Sequence, residues 1–248
     1  MIYFVGAGPG DPELLTVKAQ RLLQQADLVL YTGSLVPRPV LDCCRPDAVK
    51  ADSAGMVLQQ IVDLMVHHYR QGKLVVRLHT GDPALYGAIG EQMAALDQLG
   101  ISYRVVPGVS SFLAAAAAVQ REYTVPGGSQ TVIITRLAGR TPVPPEQSLA
   151  SLARHKASLA IFLSVGLIQQ VQQELLQGYE ATTPVAVVER VTWPQERIIR
   201  GNLGQLARLV EEAGITRTAL ILVGEFLAAR GSSLLYDAGF AHGYRAGE

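Results

Sequence analysis

The chain has 248 residues, 49% of them hydrophobic and 17% charged, with Lys plus Arg and Asp plus Glu balanced at 21 each. This composition specifies a globular protein of one large or two modest domains, and the neutral total argues against the broad basic field of a nucleic-acid binder. No apolar run approaches the ~20 residues that span a bilayer, and the chain opens on a strand-like run rather than on a basic and apolar leader, so a cytoplasmic protein with no membrane partner is expected.

The first strand-like run, 2–5, ends in Gly6-Ala7-Gly8-Pro9-Gly10-Asp11-Pro12 and leads to a helical pattern marked by Leu14, Val17, Leu22 and Leu23. Asp followed by Pro starts a helix well: the carboxylate caps amides of the first turn, and proline at the first helical position has no amide to leave unbonded. After a run at 28–31 come the adjacent Cys43 and Cys44, in a Pro- and Asp-rich stretch without metal-ligand spacing. They are read as structural thiols, with no metal and no disulfide expected. Met56, Ile61, Leu64 and Met65 mark the next helix, which carries His67 and His68 on its polar side. The run 74–78 then meets a second Gly-Asp-Pro, Gly81-Asp82-Pro83, followed by a helical pattern through Ala88, Met93 and Leu96 and a run at 103–106. The stretch from Leu113 to Val119, almost all alanine, reads as a helix packed closely on a sheet or a ligand.

Periodicity breaks between Glu122 and Gln130, where Thr124-Val125-Pro126-Gly127-Gly128-Ser129 has the composition of a linker. The expected domains are therefore 1–122 and 131–248, joined by 123–130. Runs at 131–135, 159–163, 185–189 and 219–223 alternate with helical patterns at 147–155 and 206–213, and His242 lies near the tail. This βα alternation predicts an α/β fold with mainly parallel sheets flanked by helices. In such sheets ligands collect beyond the carboxyl ends of strands, and glycine lets a backbone approach a ligand closely, so the twin Gly-Asp-Pro turns are the first place to look for a site. A dinucleotide fingerprint, Gly-x-Gly-x-x-Gly, fails at Asp11, where a carboxylate would face pyrophosphate at a helix N-terminus.

Together these segments resemble one family over nearly the whole chain: the tetrapyrrole methylases, S-adenosylmethionine-dependent C-methyltransferases of sirohaem and cobalamin synthesis. The resemblance is carried, in order, by Gly6 to Pro12, Ala26-Asp27-Leu28-Val29-Leu30-Tyr31, Gly81-Asp82-Pro83 and Val106-Pro107-Gly108-Val109-Ser110-Ser111. Tyr31-Thr32-Gly33-Ser34-Leu35-Val36, the run from Arg77 to Gly87, Gln130-Thr131 with Thr135-Arg136, Gly139-Arg140-Thr141, and Trp193-Pro194 with Glu196-Arg197 look like the branch that methylates C11 of precorrin-4 or of its cobalt complex. Other branches act on uroporphyrinogen III, ribosomal RNA or a translation factor.

The resemblance implies two α/β domains with the methyl donor in the cleft between them, S-adenosylhomocysteine as the second product, and a homodimer. Position by position it places donor contacts at Pro9, Thr80, Gly81, Asp82, Leu85, Ser110, Ser111, Leu163 and Ala219, and gives Gly8, Gly10 and Asp11 to the trough for the tetrapyrrole. Such a substrate is rich in carboxylates, which the guanidinium fork of arginine matches, so Arg77, Arg136, Arg140 and Arg197 are its expected partners. Asp82, Tyr86, His79 and Glu122 are the candidates for a base if a proton must leave the macrocycle.

Overall fold

The first sheet contains β1 (Ile2–Gly6), β2 (Leu28–Tyr31), β3 (Val49–Asp52), β4 (Val75–His79) and β5 (Tyr103–Val106), in the order β3-β2-β4-β1-β5 with every pair parallel. The structure, a computed structural model, describes residues 1–229, 233, 237, 239–241 and 243–244, apart from the side chain of Ser34; His242 lies outside the described residues. Strands β1 and β2 read as unbroken apolar runs because both of their faces are covered, and β4, covered likewise, interrupts its apolar run with Arg77 and His79. Val5, Val29, Val76 and Leu78 pack with Ala19, Leu22 and Leu23 of α1 (Val17–Gln25) on one side. On the other side Phe4, Leu28, Leu30 and Val75 pack with Ile61, Val62 and Met65 of α3 (Leu58–Arg70) and with Leu96 of α4 (Ile89–Gln98). The short α2 (Arg38–Leu41) adds Val40 to the α1 side.

The expected Asp-Pro start opens a 3-10 turn, and α1 begins later, at Val17, on its own cap. The Asp11 carboxylate accepts from the Glu13 amide at 2.8 Å, with Pro12 opening a 3-10 turn, and the Thr16 hydroxyl caps α1 by accepting from Ala19 at 3.1 Å. Strand β3 escapes the sequence pattern because Val-Lys-Ala-Asp is largely exposed at the sheet edge, with no apolar stripe to mark it.

The second sheet contains β6 (Val132–Arg136), β7 (Ser158–Phe162), β8 (Pro184–Glu189), β9 (Arg197–Asn202) and β10 (Ala219–Val223), ordered β6-β7-β10-β8-β9. Helices α6 (Leu149–Ala153), α7 (Ile168–Leu175) and α8 (Leu206–Glu212) bury Leu149, Val171, Leu175, Leu206 and Val210 against Leu159, Ile161, Val187 and Ile221. The expectation of parallel strands holds throughout the first sheet, whereas the second is mixed. Of its neighbouring pairs only β6 with β7 is parallel, because β10 enters between β7 and β8 in the opposite direction and β9 runs back along β8. Strand β9 is a further edge strand missing from the sequence pattern.

The chain divides into two units, Met1–Ala114 with Arg190–Glu196, and Ala115–Glu189 with Arg197–Glu248. The division falls inside α5 (Ser111–Val119), ahead of the Glu122–Gln130 break, and the connection between β8 and β9 belongs to the first unit.

Candidate active site

The connections that leave the adjacent strands β1 and β4 pass to opposite faces of the first sheet, one to α1 and the other to α4. This is the switch point at which open α/β sheets form ligand crevices, and both Gly-Asp-Pro turns lie there with the loop that follows β5.

The loops are locked together by backbone. The Ala7 amide donates to the His79 carbonyl at 2.7 Å, and Gly8 and Gly81 exchange hydrogen bonds at 3.2 and 2.8 Å as an isolated antiparallel bridge. A Cβ on Gly6 would lie 2.6 Å from the Cα of Gly108, and one on Gly108 would run into the Gly81 carbonyl oxygen. The glycines at Gly6 and Gly108 thus permit loop to approach loop. Asp82 fastens the same assembly: one carboxylate oxygen accepts from Ala84 at 2.8 Å and the other from Gly108 at 2.9 Å. Beyond Pro83 the turn is strained, with Tyr86 at φ 55 and Ala88 at φ 48, left-handed values that only surrounding structure holds in place.

The first glycine-rich loop is covered by its own chain. Gly8, Pro9 and Gly10 are buried, and a Cβ on Gly10 would run into the indole of Trp193, the chain's single tryptophan. The indole Nε1 donates to the Pro9 carbonyl at 3.0 Å, the Asp11 amide donates to the Thr192 hydroxyl at 2.9 Å, and the Thr192 amide donates to Glu196 at 2.7 Å. Segment Arg190–Glu196 is therefore a strap over this loop. Sequence reasoning noted Trp193 and Glu196 in a motif but gave them no task, since nothing local ties them to residues ~180 positions earlier.

Beside the loops, on the α3 and α4 side of the sheet, is a cavity of about 430 Å³ lined by Arg77, His79, Thr80, Leu85, Tyr86 and Glu91, among others. Arg77 and His79 alternate with Leu78 along β4, and both are buried, at 4% and 6% exposure. The Arg77 Nε donates to Gln92 at 3.1 Å, and its Nη1 donates to Ser53 Oγ at 2.9 Å and to the Leu30 carbonyl at 3.3 Å. No carboxylate pairs with it among the described residues, and burial lowers its pKa to about 10, which leaves it charged at neutral pH. Burial, aided by the nearby Arg77 charge, lowers the His79 pKa to about 3, so its ring is neutral. Its buried Nε2 has no hydrogen-bond partner among the described residues.

The other expected arginines separate by partner. Arg136 donates to the carbonyls of Leu137, Thr141 and Pro142 at 3.3, 3.2 and 2.8 Å, and so clasps the loop that runs through Pro142, Pro144 and Pro145. Arg197 pairs with the buried carboxylate of Glu189 at 2.6 Å and donates to the Ala213 carbonyl at 2.9 Å, as a structural tie of the second unit. Arg140 is exposed and forms no ion pair among the described residues. Glu122 is exposed and accepts from the Thr124 hydroxyl at 3.1 Å. Cys44 lies in the first-unit core, where burial raises its thiol to about 11.

In the second unit Leu163 follows β7 and Ala219 opens β10, at the same end of the sheet. Leu163 stands 72% exposed in left-handed backbone at φ 54, a conformation that Thr218, just ahead of β10, shares at φ 54. Among the described residues no helix is long and apolar enough to cross a membrane, and no three His, Cys, Asp or Glu side chains converge as metal ligands would.

Residues 1–207 match the family described as Tetrapyrrole (Corrin/Porphyrin) Methylases. The chain is 50% identical to the precorrin-4 C(11)-methyltransferase of Pseudomonas aeruginosa, over 100% of this chain and 99% of that one. Its fold matches the crystal structure of a cobalamin biosynthetic enzyme, cobalt precorrin-4 methyltransferase, with a TM-score of 0.89 and 48% identity, covering 91% of this chain and 95% of the other. It also matches uroporphyrin-III C-methyl transferase from Thermus thermophilus complexed with S-adenyl homocysteine, with a TM-score of 0.78 and 34% identity, covering 92% and 98%. The chain belongs to the tetrapyrrole methylases.

Proposed function

We propose that the chain transfers a methyl group from S-adenosylmethionine to C11 of precorrin-4, or of cobalt-precorrin-4, in cobalamin biosynthesis. The observation that carries this reading is the end-to-end match to a precorrin-4 C(11)-methyltransferase, in a chain whose glycine-rich loops meet at the switch point of a parallel sheet. The family resemblance also supports a homodimer in the cytoplasm.

The residues fit a nucleoside-like methyl donor. In the first unit Thr80 is exposed, Asp82 and Leu85 are half-buried, and Ser110 and Ser111 open α5 beyond β5. With Pro9 and Gly81 these are the positions assigned to the donor. In the second unit they are Leu163 and Ala219; an apolar side chain held out to solvent from strained backbone, as Leu163 is, marks a site that a ligand would cover. When bound, the donor supplies a methyl group already activated on a sulfonium.

What remains for the protein is alignment. Holding two reactants in line can contribute about 7–11 kcal/mol, and C11 of an electron-rich reduced tetrapyrrole is an enamine-like carbon that needs no activating side chain. Asp82 is accordingly assigned to holding the loops, since both of its oxygens already accept amides. Gly8, Gly10 and Asp11 support the trough from beneath the Trp193 strap, and Arg77 and Arg140 are the cations left to meet substrate carboxylates. Of the base candidates, Tyr86 lines the cavity and His79 is neutral there.

Incubation with labelled S-adenosylmethionine and each of precorrin-4, cobalt-precorrin-4 and uroporphyrinogen III tests the reading. Label should enter one or both of the first two. Label in uroporphyrinogen III alone would move the chain to another branch, and no transfer to any would overturn the assignment.

A further inference from the structure

Most buried polar atoms find a partner, because leaving one unmatched forfeits its hydrogen bond to water without return. His79 Nε2 is an exception, buried in a side chain that lines a cavity, and the same cavity contains an arginine that no carboxylate pairs with among the described residues. An unmatched imidazole nitrogen and an unneutralised guanidinium two residues apart on one strand both weaken the unliganded fold. Together they are complementary to an anion that also accepts hydrogen bonds. Arg77 has Nε and Nη1 committed to Gln92, Ser53 and Leu30, which fixes the plane of the guanidinium and leaves Nη2 without a hydrogen bond among the described residues. The cavity, at about 430 Å³, falls within the usual range of ligand pockets, ~300–1,000 Å³. It is larger than one carboxylate requires and admits part of the ring that carries it.

We propose that this cavity is a recessed carboxylate pocket for one side arm of the tetrapyrrole, with Arg77 supplying the charge and the His79 Nε2–H, buried in the unliganded fold, a second hydrogen bond once the ring turns toward the ligand. This inference rests on the methyltransferase reading and gives His79 a substrate-binding task in place of a catalytic base. The neutrality of the ring agrees with it, since a histidine that resists protonation is a poor proton acceptor but a serviceable donor through one nitrogen. The methyl donor also carries a carboxylate. Thr80 and Leu85 of the donor set border the pocket, but Pro9, Ser110 and Ser111 do not line it, and it opens between α3 and α4 on the β2 and β4 side, reached by Thr32, Leu58 and Ile61, which assigns it to the tetrapyrrole. Glu91, exposed at the opening, disfavours a second anion and suits the N–H groups of a pyrrole ring.

The test is steady-state kinetics on the full chain with His79→Phe and His79→Gln, using whichever of precorrin-4 and cobalt-precorrin-4 the unmodified protein methylates. His79→Phe should raise the KM for the tetrapyrrole at least tenfold with kcat within threefold, leave the calorimetric Kd for S-adenosylhomocysteine within twofold, and melt no lower than the unmodified protein. His79→Gln, which restores an N–H near Nε2, should bring the KM back to within threefold. An unchanged KM in a folded His79→Phe overturns the inference, and so does a weakened Kd for S-adenosylhomocysteine, which would give the pocket to the donor. If His79→Phe does not fold, His79→Ala takes its place in the same assay: a tenfold rise in the tetrapyrrole KM with kcat within threefold supports the pocket, and an unchanged KM overturns it. Failure of the unmodified protein to methylate either substrate overturns the underlying reading, which the variants by themselves cannot do.

Discussion

Two residues show how little of this site depends on reactive side chains. At Gly108 any Cβ meets backbone, 2.8 Å from the Cα of Gly6 as well as against the Gly81 carbonyl, and backbone cannot rotate away. Overpacking of that kind costs about 1–3 kcal/mol. At Gly81 the nearest atom to a Cβ is 3.6 Å away, and the objection is conformational, a φ of +60 that costs an L-residue about 1–2 kcal/mol. Both Gly108→Ala and Gly81→Ala should destabilise, and Gly108→Ala should also weaken S-adenosylhomocysteine binding because it must push the loops apart. Urea unfolding and calorimetry of the pair check this; full binding by Gly108→Ala would contradict the locked-loop geometry. Asp82 makes a sharper case. If it only accepts the Ala84 and Gly108 amides, Asp82→Asn forfeits one of these bonds, and kcat/KM falls by about tenfold, the equivalent of ~1.4 kcal/mol, with the shape of the pH–rate profile unchanged. A general base would instead lose about 10²–10⁴ in rate together with the acidic limb of the profile.

At the scale of elements, what the sequence conveys depends on whether an element's character is local. Strands β1 and β2 declare themselves because two covered faces demand apolar residues throughout, β4 does so through Val75, Val76 and Leu78, and the Asp-Pro turns declare themselves because capping is chemistry between near neighbours. Strands β3 and β9 do not, since an edge strand carrying Lys50 and Asp52, or Arg197 and Arg200, owes its pairing to the strand beside it. The same holds for the site. The Gly-Asp-Pro turns and the Ser110-Ser111 pair are readable motifs, whereas the Trp193 strap and the Arg77–His79 cavity exist only once distant segments meet. Arg197 illustrates the cost of reading a motif alone: its guanidinium joins the end of β8 to β9 through Glu189 and reaches the residue after α8. Arg197→Ala should therefore lower the melting temperature, because Glu189 stays buried without its partner, while the KM values for donor and tetrapyrrole stay within twofold. A tetrapyrrole KM raised with stability intact would return Arg197 to the substrate.

For the molecule as a whole, function and stability meet in the first unit. That unit contains the locked loops, the cavity and Trp193, so tryptophan fluorescence follows its unfolding even if the second unit melts separately. His79 sits in that unit with a pKa of about 3, well below the ~6.5 it takes in an unfolded chain. Between those values the unfolded chain binds a proton that the folded one refuses. The stability this histidine permits is thus full above pH ~6.5 and drains away as the pH falls toward 3, at up to ~1.4 kcal/mol for each pH unit. From pH 7 to pH 5 the loss attributable to His79 alone is about 2 kcal/mol. Urea unfolding followed by Trp193 fluorescence should show that loss in the unmodified protein, and His79→Phe, which has no proton to take up, should show ~2 kcal/mol less of it. Equal losses in the two proteins would mean that His79 is readily protonated in the folded state, and the neutral hydrogen-bond donor required by the carboxylate pocket would fall with that result. A smaller loss in His79→Phe, combined with its raised tetrapyrrole KM, would show one residue destabilising the unliganded unit in acid and recognising substrate at neutral pH.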